Sequence, residues 1–175
     1  MRDIVLTGIT GTIETPPRWQ PTAAQDERAA ALIASLGLDG KAGARWNVLS
    51  QGERGRTLIA RALACEPRLI LLDEPSTGLD IAAREQLLES IDLLAETHPE
   101  VASVLVTHHL EELPSSTTHA LLLAEGRVVA AGTALDAITS EHVSAAFSHP
   151  IDVRFDDGRW RARAAARQRR HLSSR

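Results

Sequence analysis

Leu69-Ile70-Leu71-Leu72-Asp73-Glu74-Pro75 decides how this chain is read. Four consecutive aliphatic residues, bounded by Pro67 and Pro75, are too few for a helix and do not alternate with polar ones. That pattern predicts a buried strand of a parallel sheet. Two carboxylates close the strand, and open α/β sheets bind ligands at the C-terminal ends of their strands. Asp73 in that position suits a Mg2+ ion, held directly or through water. Glu74 suits the orientation or deprotonation of a water that attacks phosphorus. An acidic turn at a strand end accounts for the same residues, so the flanking sequence has to decide.

Upstream, Ser50-Gln51-Gly52-Glu53 reads as a capping box that opens a helix ending near Cys65, with Leu58, Ile59, Ala62 and Leu63 as its apolar stripe. Ser50 is the N-cap and Gly52 leaves the backbone amides approachable. The partial positive charge of a helix start then makes a candidate anion site for a terminal phosphate. A capping box that merely starts a helix is the alternative. Thr22-Ala-Ala-Gln25 is a second box, opening a helix to about Leu36 with Ala29, Leu32, Ile33 and Leu36 on one face. Gly37 stops it. Residues 38–49 read as a loop, and residues 1–21, broken by Thr, Gly and Pro16-Pro17, as irregular. The apolar stretch Ile4-Val5-Leu6 is too short for a signal peptide.

Downstream, Asp80 caps a helix over about 82–97, with Leu87, Leu88, Ile91 and Leu94 inward, and Val101–Val106 forms a second buried strand. Strand, helix and strand make a βαβ unit with a right-handed crossover. His108 follows the second strand, where an imidazole can reach a phosphate oxygen or an attacking water. Surface decoration, which neighbouring His109 exemplifies, is the alternative. A hairpin over 119–131 turns at Glu125-Gly126-Arg127, and short helices follow near 133–138 and 141–147. Ile151–Arg161 reads as another hairpin around Asp156-Asp157-Gly158. Arg159, Arg161, Arg163, Arg167, Arg169, Arg170 and Arg175 read as an arginine-rich, solvated tail, with binding to acidic lipid or nucleic acid as the alternative.

The 175 residues suit one domain, and 43% hydrophobic with 24% charged residues sets a globular class. Aromatics are only 3%, so the core has to be aliphatic. A formal net charge of -4 argues against nucleic acid as a partner. Cys65 stands alone, which excludes an internal disulfide and fits a reducing compartment. No apolar run approaches the roughly 18 residues of a membrane span.

Taken in order, these motifs resemble those of the ATP-binding cassette (ABC) family. Leu49-Ser50-Gln51-Gly52-Glu53 resembles the signature motif, and Leu69–Asp73 with Glu74 resembles Walker B and its catalytic glutamate. Ser76-Thr77-Gly78-Leu79-Asp80 resembles the D-loop, and Thr107-His108 the switch-histidine motif. Each is common singly, whereas the ordered set at this spacing is specific. The resemblance covers residues 1–147: a helical subdomain over about 1–66 and a Walker B to switch-histidine core over about 67–131. Residues 148–175 are a C-terminal extension.

The resemblance implies an α/β fold, an incomplete P-loop NTPase cassette with parallel core strands, helices and a C-terminal hairpin region. It implies ATP and Mg2+ as cofactors, with Asp73 toward the metal and Glu74 and His108 in catalysis on ATP held by their own subunit. Ser50, Gln51, Gly52 and Glu53 would face the terminal phosphate of a second cassette's ATP, and Asp80 would lie at the interface. A membrane-spanning transporter subunit is the further partner implied, with the chain in the cytoplasm or on the inner face of the membrane. Chromosome-maintenance ATPases share the motifs but adjoin long coiled coils, and no sustained heptads occur here.

One motif of the family is not found. A Walker A loop reads G-x-x-x-x-G-K-[ST], with backbone amides that cradle phosphates. Lys41, the chain's one lysine, follows Gly40, but Ala42 comes next and Ser35 lies five residues before Gly40. Lys41 therefore reads as a surface residue. The expectation is a truncated cassette, weak or inactive alone, with an exposed sheet edge or apolar face. The alternative is a non-catalytic partial cassette that donates its signature motif in trans to a complete partner.

Overall fold

Leu69–Asp73 (β1) and Ala102–Val106 (β2) pair in parallel, with Asp73 opposite Val106 and Leu71 opposite Val104. The structure is a computed structural model that describes residues 1–165. Arg167, Arg169, Arg170 and Arg175 of the expected tail lie outside the described residues. Ile81–Thr97 (α4) connects the two strands, so the expected βαβ unit is present. Leu87, Leu88, Ile91 and Leu94 of α4 are all buried, as the spacing predicts, and they share one core with Ile70.

The strands are not buried on both faces. Ile70 is buried, and Leu72 and Leu105 pack against the core, but Leu69, Leu71, Val104 and Val106 are 51, 68, 46 and 53% exposed. The physical reason is that helices cover one face of this two-stranded sheet and nothing within residues 1–108 packs closely on the other. An exposed apolar face is among the expectations stated above.

Two helices stand before the sheet as expected. Ala23–Ser35 (α2) starts at the Thr22–Gln25 capping box, and Gln51–Leu63 (α3) starts at the Ser50–Glu53 box. The apolar face of α3 departs from its prediction: Leu58 is 47% exposed, whereas Thr57 is fully buried. Thr57 tolerates burial because its hydroxyl donates to the Glu53 carbonyl within the helix at 2.7 Å.

Residues 1–21 are not irregular throughout. Arg2–Thr10 forms a helix (α1) that ends at Gly11 with φ 65°. Its β-branched residues, threonines and Gly8 make it a poor helix by propensity, and tertiary packing overrides that. Val5 and Leu6 are buried, and Arg61 of α3 donates to Thr7 Oγ1 at 2.9 Å and to the Thr12 carbonyl at 3.1 Å. A Cβ at Gly8 would lie 1.9 Å from the Arg61 carbonyl oxygen, so only glycine lets α1 approach α3 this closely.

The described residues divide into two compact units, the first being Met1–His108 and the second beginning at His109. The second contains two antiparallel hairpins, His119–Ala124 (β3) with Arg127–Thr133 (β4) and Ile151–Asp156 (β5) with Arg159–Ala164 (β6). Between them lie Ala134–Ala137 (α5) and Ser140–Phe147 (α6). Both turns carry positive φ at two successive residues, Glu125-Gly126 and Asp157-Gly158, the geometry that two-residue hairpins require. Arg159, Arg161 and Arg163 belong to β6 rather than to a solvated tail. Alternation with Trp160 explains this, since Trp160 is buried with Ala134, Ile138 and Val143 and its ring meets that of Phe155 in a tilted contact, centroids 4.7 Å apart.

Candidate functional site

Two places in the Met1–His108 unit carry the predicted residues. The first is the start of α3. Ser50 Oγ accepts the Glu53 amide at 3.2 Å, and Glu53 Oε2 accepts the Ser50 amide at 2.8 Å. These reciprocal bonds fix the first turn and leave Ser50 and Gln51 exposed on its rim. Gly52 is buried instead, because its α-carbon faces α4: a Cβ there would meet Ala83 Cβ at 3.0 Å. Packing of α3 on α4 is thus one reason for glycine at this position.

Glu53 has a further partner. Lys41 Nζ donates to Glu53 Oε1 at 2.5 Å. The Lys41 ammonium, then the Ser50 amide, hold the Glu53 carboxyl below its ordinary range. Lys41 is a surface residue, as expected, but one engaged with Glu53. It ends a short 3-10 turn, Asp39–Lys41, whose placement depends on Leu38 being buried in the core. No local motif announces that contact.

The second place is the C-terminal ends of β1 and β2. The Glu74 amide donates to the Val106 carbonyl at 2.9 Å, which ties the residue after β1 to the end of β2. His108 then lies within reach, with Nδ1 2.7 Å from Glu74 Oε1. The other oxygen, Glu74 Oε2, accepts from Thr77 Oγ1 at 3.3 Å. Glu74 has φ 44°, a left-handed backbone that a non-glycine residue adopts at some cost. Both carboxylate oxygens are thus engaged, and the imidazole and carboxylate are about half-exposed. Thr77 was quoted in the D-loop motif but not singled out, and the structure gives it a hydrogen bond to Glu74.

Asp73 ends β1, exposed and beside Glu74. Asp80 is the N-cap of α4, where Oδ1 accepts the Ala83 amide at 2.8 Å. Between them Ser76 is buried with its hydroxyl unpartnered among the described residues. The fit to Mg-ATP is partial. No cluster of three metal-binding side chains occurs among the described residues, so Asp73 offers a single carboxylate. That suits Mg2+, which keeps waters and is held by one or two carboxylates together with nucleotide phosphates. The amide cradle of a Walker A loop is not encoded in these 175 residues.

Comparisons with known proteins bear on the family and the fold. The family model described as ABC transporter matches residues 5–77. The uncharacterized ABC transporter ATP-binding protein YlmA of Bacillus subtilis is 42% identical over 139 residues, 79% of this chain and 53% of its own length. The molybdenum import ATP-binding protein ModC of Brucella suis is 40% identical over 127 residues, 70% of this chain and 34% of its own length. Among solved structures, an ABC transporter in an inward-facing conformation superposes with a TM-score of 0.75 at 29% identity, covering 92% of this chain and 63% of that one. A nucleotide-free ATP-binding cassette shares the fold, with a TM-score of 0.66 at 20% identity over 85% of this chain and 59% of that one.

The fold is that of the ABC ATPase cassettes, which are P-loop NTPases. The chain belongs to the ABC transporter ATP-binding family, and it spans about half the length of the Bacillus relative. No helix among the described residues is long and apolar enough to cross a membrane.

Proposed function

We propose that this chain supplies the hydrolytic strand ends and the signature helix of an ATP-hydrolysing ABC subunit, in a membrane transporter. The observation that carries this reading is the contact of His108 with Glu74 at the ends of adjacent parallel strands. Glu74 would orient and deprotonate the attacking water, and the imidazole would hold that carboxylate in place and stabilise charge on the phosphate. Asp73 would hold Mg2+, which when bound supplies positive charge against the phosphate oxygens. Ser50 and the start of α3 would meet the terminal phosphate of a second cassette's ATP, and Asp80 would lie where the two cassettes adjoin. The working location is the cytoplasm, docked on the inner face of the membrane through a transporter subunit.

The 175 residues alone are proposed to bind ATP weakly. A phosphate cradle contributes charge-assisted hydrogen bonds worth roughly 1.5–3 kcal/mol each. Without three of them the loss is about 4 kcal/mol or more, on the order of a thousandfold in affinity. The test compares the chain with a chimera that supplies the G-x-x-x-x-G-K-[ST] loop from a complete cassette. Affinity on the order of millimolar for the chain, with turnover only in the chimera, agrees with the proposal. Micromolar Mg-ATP binding by the chain itself would sink it.

A second reading has its own observation, the fully formed capping box at Ser50. The chain then acts as a non-catalytic partial cassette that lends this helix in trans. ATP-dependent association with a complete cassette, abolished by Ser50→Arg, is the expected result. Association that survives Ser50→Arg removes the signature helix from that role.

A further inference from the structure

We propose that Lys41 is a positioning residue for Ser50: it holds the Glu53 carboxylate that fixes the Ser50 backbone, and it cancels the negative charge that Glu53 would present to a docking phosphate. The inference rests on the reading of the α3 start as a phosphate-facing element.

The chain of contacts is short. Lys41 Nζ meets Glu53 Oε1 at 2.5 Å, Glu53 Oε2 accepts the Ser50 amide at 2.8 Å, and Ser50 Oγ accepts the Glu53 amide at 3.2 Å. The far end is anchored. The Lys41 amide donates to the Leu38 carbonyl at 2.9 Å, the Ala44 amide donates to the Lys41 carbonyl at 2.8 Å, and Leu38 is buried. The Met1 ammonium and the Arg2 amide donate to the carbonyls of Ala44 and Ala42, which tie the same loop to α1. The ammonium is thus delivered to α3 by a loop that is fixed on both sides.

The electrostatic argument is independent of the geometric one. A carboxylate favours a helix start, but it repels a polyphosphate that approaches the same turn. The neighbouring cations are committed elsewhere. Arg54 donates to the Trp46 carbonyl and stacks over the Trp46 ring, and Arg56 donates to the Leu36 carbonyl. Lys41 is left as the cation that faces Glu53, and the lowered pKa of the Glu53 carboxyl, whose ionised form is favoured, agrees with it.

The experiment uses the labelled full chain as wild type, Lys41→Met and Lys41→Arg. Half of the Lys41 side chain is exposed, so neither substitution threatens the core. Amide exchange at Ser50 and Glu53 is expected to quicken roughly fivefold in Lys41→Met, the loosening of a helix cap, and to stay near wild type in Lys41→Arg. The titration of Glu53, followed by NMR at the Ser50 amide, is expected to move up in Lys41→Met and to return in Lys41→Arg. With the full-length Bacillus relative and Mg2+ with a non-hydrolysed ATP analogue, half-maximal association should need about fivefold more nucleotide for Lys41→Met. Unchanged exchange and titration in Lys41→Met overturn the proposal. Lost association with both exchange and Glu53 titration unchanged does the same, because Lys41 then acts by direct contact rather than through Glu53. If the NMR changes appear but the wild type never associates, the positioning of Ser50 stands and the reading of α3 as a phosphate donor in trans fails.

Discussion

The start of α3 and the ends of β1 and β2 reach similar chemistry by opposite routes. At α3 the two reciprocal hydrogen bonds join residues three apart. At the strand ends, Glu74 and His108 meet across 34 residues and depend on the parallel register of two strands. The α3 turn rests on a buried glycine packed against α4, whereas β1 and β2 show an uncovered apolar face. A local motif closes its own hydrogen bonds and takes only reinforcement from distant residues such as Lys41. A geometry built from distant segments is only as firm as the sheet that aligns them.

The largest expected effect separates the two places by chemistry. In the chimera with a phosphate loop, Glu74→Gln keeps the side-chain shape and one acceptor oxygen but removes the base. ATP turnover should fall by about 10^2 to 10^4-fold, with the amide exchange of Ser50 and Glu53 unchanged. A fall of less than threefold would take Glu74 out of the catalytic role.

Next in size is a change that both places should feel. Leu88→Ala empties a fully buried position of α4, which supplies Ala83 beneath Gly52 and shares the core with Ile70. The expected loss is about 2–5 kcal/mol, read from the denaturant midpoint. Local exchange should quicken at both Ser50 and Glu74, and quickening at only one would show that α4 does not support them jointly. A smaller change addresses the cap alone. Ser50→Ala removes an N-cap acceptor and should cost about 1 kcal/mol while the Glu74–His108 contact persists. That contact is checked by the His108 imidazole resonances.

The same contrast explains what the sequence disclosed. The α3 and α2 boxes, the aliphatic runs of β1 and β2, and the α4 stripe are local or periodic signals, and each element appears where they predict. That Glu74 and His108 lie together was legible because the two strands of a βαβ unit, when they pair, bring their C-terminal ends side by side. What stayed hidden needed three dimensions. Helix α1 exists because Gly8 lets it approach Arg61, which no propensity reveals. Thr57 replaces Leu58 inside because an intrahelical hydrogen bond satisfies its hydroxyl. Burial of β1 and β2 was over-read, since an aliphatic run reports a capacity for covering rather than the cover itself. Lys41 was set aside because its partner lies 12 residues away across a loop.

The smallest expected effect tests that last contact through pH. The Lys41 ammonium first, and then the Ser50 amide, keep the folded Glu53 carboxyl below the ordinary value of 4.5. A depressed carboxyl contributes stability that is fully present above its unfolded value and is lost as pH falls through the folded one. Lys41 is half-exposed, so solvent screening limits the contribution to below about 1 kcal/mol. Wild type and Lys41→Met should therefore differ slightly in denaturant midpoint above pH 4.5 and converge as acid protonates Glu53 in both. Glu100, held low first by its own backbone amide and then by His98, titrates in both variants and cancels in the difference. Midpoint curves that stay parallel down to acid pH would show that Lys41 and Glu53 are not energetically coupled. The start of α3 would then owe its geometry to the reciprocal cap alone, as its four-residue sequence first implied.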